Sequence, residues 1–241
     1  MPIDRYYSPL DLVAGTQLSL QDQEFHHLVH VTRNQCGDSI ELVNGRGVLA
    51  HATIQAIKKK EAILTIDDVE LKPPPQIEIV LAQAIPRMNR LDFILEKGTE
   101  LGMTQLWLFP AKESERGAFT EHQLARMQTV TVSAMKQCGR FYLPSIQMMP
   151  PLAQWKALEW PAYFGDVNSA APPFSEFFEG MHTQKGVVFF IGPESGFTSD
   201  EEKILKGLKT QGVKLHPNIL RTDTAALIAL SLMSHCLMSN R

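Results

Sequence analysis

A run of prolines constrains this chain more than any other feature. Pro73, Pro74 and Pro75 follow Lys72 in a sequence of 241 residues. Consecutive prolines lack backbone N–H donors and favour extended polyproline geometry, so they read as a connection between two folded parts. The residue pattern changes across them. Before the run, Ser39 to Val43 alternates, Asn44-Gly45-Arg46-Gly47 turns, and Val48 to Ile57 resumes the alternation, which is a hairpin signal. Ala62 to Ile66 supplies a further strand. Phe25, Leu28, Val29 and Thr32 share one face of a helix predicted over Asp22 to Arg33.

After the prolines, strands and helices alternate. Ile77 to Ile85 is a near-continuous apolar run, as a buried parallel strand should be. Leu91, Ile94, Leu95, Gly98 and Leu101 recur at helical spacing, and Gln105 to Phe109 is the next strand. A helix over Glu121 to Gln137, strand-like Tyr163-Phe164 and a buried strand over Gly186 to Ile191 follow. Thr198-Ser199-Asp200-Glu201 fits a capping box opening a helix to about Lys209. Val213 to Leu215 reads as a short strand, and an apolar helix from Thr222 to about Leu237 closes the pattern. The expected organisation is a β-rich domain over residues 1–72 and an α/β domain with a mainly parallel sheet over 73–241.

Composition excludes several classes. An apolar fraction of 44% with 20% charged residues argues against disorder or a fibre. Cys36, Cys138 and Cys236 are an odd count without CxxC spacing, which argues against a disulfide framework and suits a reducing compartment. No apolar stretch reaches membrane-spanning length, and MPIDRYY lacks the apolar run of a signal peptide, so a cytoplasmic location is expected. The formal charge of -3 lacks the basic surplus of a non-specific nucleic-acid binder, although basic residues cluster at Lys58 to Lys60 and at Arg87 and Arg90.

Ligands of open α/β sheets bind beyond the C-terminal ends of the strands. Two late loops occupy that position, Ile191-Gly192-Pro193-Glu194-Ser195-Gly196 and Pro217 to Ala226. Neither carries GxxxxGK[ST] or GxGxxG, and Glu194 would repel a pyrophosphate. A cationic ligand without phosphate suits the first loop better, S-adenosylmethionine being one. The plainer alternative is a glycine turn before a capped helix. In the second loop Thr222, Asp223 or Thr224 can cap the last helix, yet Arg221 stands beside Asp223 between apolar segments, where charges need partners or a function.

IGPESGFTSDE together with LRTDTAALIAL resembles the cofactor-binding end of the RsmE family of SPOUT methyltransferases. Arg5-Tyr6-Tyr7, His30-Val31-Thr32-Arg33, the helix LDFILEKGTELG and Gln137-Cys138-Gly139-Arg140 occur in the family's order, so the resemblance covers nearly the whole chain. It implies a SPOUT-type α/β domain with a parallel sheet and a deep trefoil knot, preceded by a small PUA-like β-barrel domain that binds RNA. It also implies a homodimer, S-adenosyl-L-methionine as cofactor, and methylation of uridine N3 in 16S ribosomal RNA of the 30S subunit, with no role for DNA or a membrane. Carried onto this sequence, Ile191, Gly192, Pro193, Glu194, Ser195, Gly196, Leu215, Leu220, Thr222, Thr224 and Ala225 would line the cofactor site. The chain departs from the family pattern at Ser195, Asp223, Lys136 and Asn218; Lys136 reverses a charge.

Methyl transfer to N3 requires loss of the N3 proton, hence a base or a cation that stabilises the uridine anion. Arg221 is the candidate cation; Asp223 and Glu194 are candidate bases, or partners of Arg221. Arg5, Arg33, Arg116 and Arg140 are the candidate RNA-binding residues, arginine being suited to phosphate and base edges. His26 and His30 share a helix face, but without HExxH or a cysteine pair no metal site is assigned. A non-catalytic ribosomal RNA-binding or assembly factor on the same fold would keep the basic residues and lose the cofactor loops.

Overall fold

A computed structural model describes residues 4–114, 118–181 and 184–238. Chain contacts group residues 1–74 with 132–143, and residues 75–131 with 144–241. The sequence division after residue 72 leaves 132–143 with the second domain. The structure counts them with the first unit, because Met135 is buried with Val43 and Leu49, and Phe141 and Leu143 pack on the same cluster.

The first unit is built on a five-stranded sheet. Its strands are β1 (Arg5–Tyr7), β2 (Gln17–Gln21), β3 (Ser39–Val43), β4 (Val48–Ile57) and β5 (Glu61–Leu71), in the order β1-β3-β4-β5-β2. Only the β1–β3 pair is parallel. The strands alternate as the sequence pattern requires: Ile40 and Leu42, Ala50, Ala52 and Ile54, and Ala62, Leu64 and Ile66 are all buried in one cluster. Register shifts between His51 and Ala52 and between Ile54 and Ala56 bend β4 against β5. The sheet curls into a half-barrel, and its edges β1 and β2 do not pair, so the expected barrel is open. The Asn44–Gly47 turn is closed by residues 141–143: Gly47 N donates to Phe141 O at 2.9 Å and Leu143 N to Gly45 O at 2.9 Å. A Cβ on Gly47 would lie 2.1 Å from Tyr142 Oη, so no larger residue fits there.

The predicted first helix is split. A short α1 (Asp22–His26) runs into a π-helical turn over His27–Val31. Thr32 Oγ1 bonds back to Leu28 O at 3.0 Å and meets Tyr6 Oη at 2.6 Å, and Tyr6 Oη donates to Asn34 Oδ1 at 2.7 Å. Tyr6 has no exposed surface, and burial pushes its phenol up to about 12.

The second unit holds a six-stranded, all-parallel sheet. Its strands are β6 (Glu78–Ala84), β7 (Gln105–Phe109), β8 (Ser145–Met148), β9 (Ala162–Gly165), β10 (Gly186–Ile191) and β11 (Gln211–Val213), in the order β11-β9-β10-β6-β7-β8. Central strands β10 and β6 are buried nearly throughout, as a sheet covered on both faces demands. Alternate residues serve the two faces. Ile79, Leu81, Val187, Phe189 and Ile191 join the cluster of α2 (Met88–Glu100) and α5 (Thr222–Met238). Val80, Ala82, Val188 and Phe190 join Leu205 of α4 (Ser199–Gly207). The remaining helix, α3 (Glu121–Cys138), starts in this unit and ends in the first. Among the described residues no helix is long and apolar enough to cross a membrane.

Tyr6→Phe should cost about 1–2 kcal/mol near neutral pH, through the lost hydrogen bonds. Between about pH 10 and 12 the unfolded chain has released the phenolic proton while the folded chain retains it, so wild-type stability falls as pH rises. Denaturant unfolding of both proteins at pH 8 and pH 11 should show the gap narrowing at the higher pH. A constant gap would contradict the buried phenol.

Candidate active site

Strand β10 ends at buried Ile191 and the chain turns sharply. Gly196 N donates to Pro193 O at 2.9 Å, and Gly196 takes φ +81°, a conformation that favours glycine. A Cβ on Gly192 would sit 3.2 Å from Phe197 N, so the turn is also tight against itself. Thr198 then caps α4 with both arms of the predicted capping box in place. Buried Glu201 supplies the second arm and also accepts from Lys112 N at 2.8 Å, fixing the segment after β7.

The chain returns to this turn at the start of α5. Thr222 is buried and its Oγ1 donates to Gly192 O at 2.9 Å. The same oxygen accepts from Gln83 Nε2 at 3.0 Å, and Gln83 lies in β6 in register with Ile191. Between the 191–197 turn, the 214–222 loop and the end of β9 lies a cavity of about 440 Å³. That is within the range of small-molecule sites, roughly 300–1,000 Å³. Leu215, read from sequence as strand, lies instead in the loop after β11 and forms part of the wall.

The charges around the cavity are mostly acidic: Asp166, Glu194 and Glu202 face Lys214. Asp166 stands at the C-terminal end of β9, where its Oδ1 accepts from Asn168 N at 2.8 Å. Glu194 and Asp223 share one cation, and it is not Arg221. Arg90 Nε lies 3.5 Å from Glu194 Oε1 and Arg90 Nη1 lies 3.4 Å from Asp223 Oδ1. Arg221 is exposed, and its side chain makes no hydrogen bond or ion pair among the described residues.

A family profile described as an RNA methyltransferase domain matches residues 72–234, and one described as an RNA methyltransferase PUA domain matches residues 20–67. The chain belongs to the RNA methyltransferase family. The ribosomal RNA small subunit methyltransferase E of Bacillus subtilis is 27% identical, over 97% of this chain and 96% of its own length. Its counterpart from Buchnera aphidicola is also 27% identical, over 95% of this chain and 92% of its own. The crystal structure of the Neisseria gonorrhoeae ribosomal RNA small subunit methyltransferase E bound to S-adenosyl methionine is 29% identical and covers 97% of each chain, with a TM-score of 0.81.

In this RNA methyltransferase the cavity brings together Ile191 to Gly196, Leu215, Leu220, Thr222 and Ala225 of the sequence-predicted cofactor set. Thr224 and Arg221 are exposed and outside the lining, and half-buried Asp223 also lies outside it. Sequence reasoning missed the Gly165-Asp166-Val167 corner and Arg90. A signal for Arg90 existed: it sits in the first turn of α2, which has no acidic residue, and the helix dipole disfavours a cation there. Such a residue needs carboxylates from elsewhere.

The RNA-binding candidates divide. Arg5 donates to Glu41 through Nε at 2.8 Å and Nη2 at 2.6 Å, both side chains nearly buried, and lies over the Phe141 ring at 5.1 Å. Its charge is committed within the fold. Arg140 is partly buried, and burial pulls its pKa down. Arg33 is exposed, just past the π-helical turn, with φ +59°. Arg116 lies outside the described residues. Lys136, the charge reversal, pairs with Glu24 at 2.5 Å. The His26 and His30 rings are 4.8 Å apart, and among the described residues no group of three or more potential metal ligands forms.

Thr222→Val keeps the shape and deletes the hydroxyl. It should destabilise the protein by about 1–3 kcal/mol, since Gly192 O loses its donor in a part-buried setting. Thr222→Ser should stay within about 1 kcal/mol of wild type. Urea unfolding of the two variants checks this, and equal stabilities would show that the hydroxyl contributes nothing.

Proposed function

We propose that this chain transfers the methyl group of S-adenosylmethionine to N3 of a uridine in 16S ribosomal RNA. The observation that carries the reading is the cavity itself, a glycine turn and apolar walls closed by Thr222, with Glu194 and Asp166 where a phosphate site would place cations. That donor set suits a cationic, phosphate-free ligand, and membership of the RNA methyltransferase family with a relative that binds S-adenosyl methionine supports it. In this reading residues 1–72 form the PUA-like RNA-binding domain, 73–241 the methyltransferase domain, and the protein works in the cytoplasm on RNA of the 30S subunit. It acts as a homodimer: Phe93 is exposed and Leu227 and Ile228 stay partly exposed on helices of the second unit, apolar surface suited to a second copy. Sedimentation at twice the mass of one chain tests that part.

When bound, S-adenosylmethionine supplies an electrophilic methyl on a cationic sulfur. Gly192 to Gly196 would hold it through backbone, and Glu194, in the cavity lining, would offset its positive charge. Asp223, two residues after Arg221, would accept the uridine N3 proton as the nitrogen takes the methyl group and the sulfur keeps its bonding electron pair. Arg221, exposed between the lining residues Leu220 and Thr222, would stabilise the charge that develops on the uridine oxygens. Arg33 is the best-placed of the RNA-binding candidates, because its guanidinium is exposed and Arg5 is engaged with Glu41.

Calorimetry with S-adenosylmethionine should give saturable binding. A Cβ on Gly165 meets only ordinary contacts, Ile191 Cδ1 at 3.9 Å being the nearest, so Gly165→Trp should fold. Its indole should fill the cavity and weaken binding at least about tenfold, a loss of about 1.4 kcal/mol. Arg221→Ala should bind the cofactor normally and methylate about a hundredfold slower or worse. A normal rate would remove Arg221 from the mechanism. Folded wild type that does not bind the cofactor would overturn the enzyme reading and leave a non-catalytic ribosomal RNA-binding factor.

A further inference from the structure

Arg90 is a cation in the wrong half of a helix. It occupies the first turn of α2, a turn without an acidic residue, where the N–H groups and the dipole already present positive charge. Its side chain is only 21% exposed, so solvation does little to offset that cost. What offsets it comes from two distant segments. Nε reaches Glu194 Oε1 at 3.5 Å in the turn after β10, and Nη1 reaches Asp223 Oδ1 at 3.4 Å in the first turn of α5. One planar guanidinium therefore spans two carboxylates that would otherwise repel each other, Glu194 in the cavity lining and Asp223 one residue past the lining residue Thr222.

We infer that Arg90 is a positioning residue for methyl transfer, holding Glu194 and Asp223 at a fixed separation beside the cavity. The inference rests on the uridine-methylation reading above. Asp223 Oδ1 is occupied by Arg90 and by Thr224 N at 3.1 Å, which turns Oδ2 toward other partners. Glu194 meets the same guanidinium through Oε1. Both carboxylates are thus anchored to one planar group. The anchoring also links the turn that approaches the cofactor to the helix start that carries Arg221 and Thr222, so displacement of either segment is resisted by the other.

The test uses full-length Arg90→Ala and Arg90→Lys with 30S subunits and S-adenosylmethionine. Arg90→Ala should keep its melting transition and its cofactor affinity within about threefold, and should lose about a hundredfold or more in kcat. Free guanidinium should restore part of that loss. Arg90→Lys should recover only partly, since a point charge cannot span both carboxylates. Added to Glu194→Gln and Asp223→Asn together, Arg90→Ala should cost almost nothing more. A normal kcat in Arg90→Ala, or a loss that guanidinium does not rescue and that adds fully to the carboxylate changes, overturns the inference. Should wild type transfer no methyl at all, the methylation reading fails separately. Amide exchange then decides on the clamp itself: residues 194–197 and 223–226 must exchange at least about tenfold faster in Arg90→Ala, and more slowly again with guanidinium, or the clamp is rejected.

Discussion

The hydroxyl of Thr222 is the joint on which the second unit turns. It gives its proton to Gly192 O and takes one from Gln83 Nε2, at 2.9 Å and 3.0 Å. Gln83 is a fully buried polar residue that follows the apolar run Ile79–Ala82 of β6. Burying an amide is costly without hydrogen bonds to replace water; Gln83 Nε2 has them, to Ala84 O and Thr222 Oγ1, and they tie the C-terminal end of β6 to the start of α5, while Oε1 has no partner among the described residues. The turn after β10 is caught between them. Its glycine conformations, the walls of the cavity and the placement of Asp223 one residue later all follow from where that junction holds the chain.

The regular parts of this geometry were legible because burial writes itself into residue period. β10 runs over Gly186–Ile191 and β7 over Gln105–Phe109, the residues their apolar runs predicted. The capping box announced α4 for the same local reason. β1, β2 and β8 were not legible: each is an edge strand of five residues or fewer, too short for a period to show. Residues 132–143 lie past the proline run yet group by chain contacts with residues 1–74, because a linker in sequence does not stop the chain from returning. Nothing local in Phe141 says that it will lie between Arg5 and Lys72, at 5.1 Å and 5.3 Å from their charges.

The candidate site was legible in its backbone and less so in its charges. Glycine and proline report local conformation, so the 191–196 turn could be read directly. A charged residue reports only that it needs something, and its partner can be anywhere in the fold. Arg221 and Asp223 are near neighbours in sequence, yet Asp223 pairs with Arg90, 133 residues away. Arg5 looked available for RNA and is held by Glu41. Lys136 looked like a lost acidic contact and is matched by Glu24, whose other oxygen accepts from Tyr7 N at 3.1 Å. In each case a charge change in one element is answered inside the first or second unit, and the surface potential is altered less than the sequence suggests.

The same reasoning explains why a glycine turn at the end of a parallel strand is not by itself a nucleotide site. Phosphate cradles combine free N–H groups with a cation, and their charge would be opposed by Glu194 within this turn and by Asp166 at the neighbouring strand end. Arg90 does not change that balance, since it faces two carboxylates and leaves the group it forms with them net negative. Asp166, Glu194 and Glu202 line the cavity against one lysine, Lys214. A positively charged, phosphate-free ligand is favoured there by the same charges that exclude a polyphosphate, so the electrostatics select the class of cofactor before any specific contact is made.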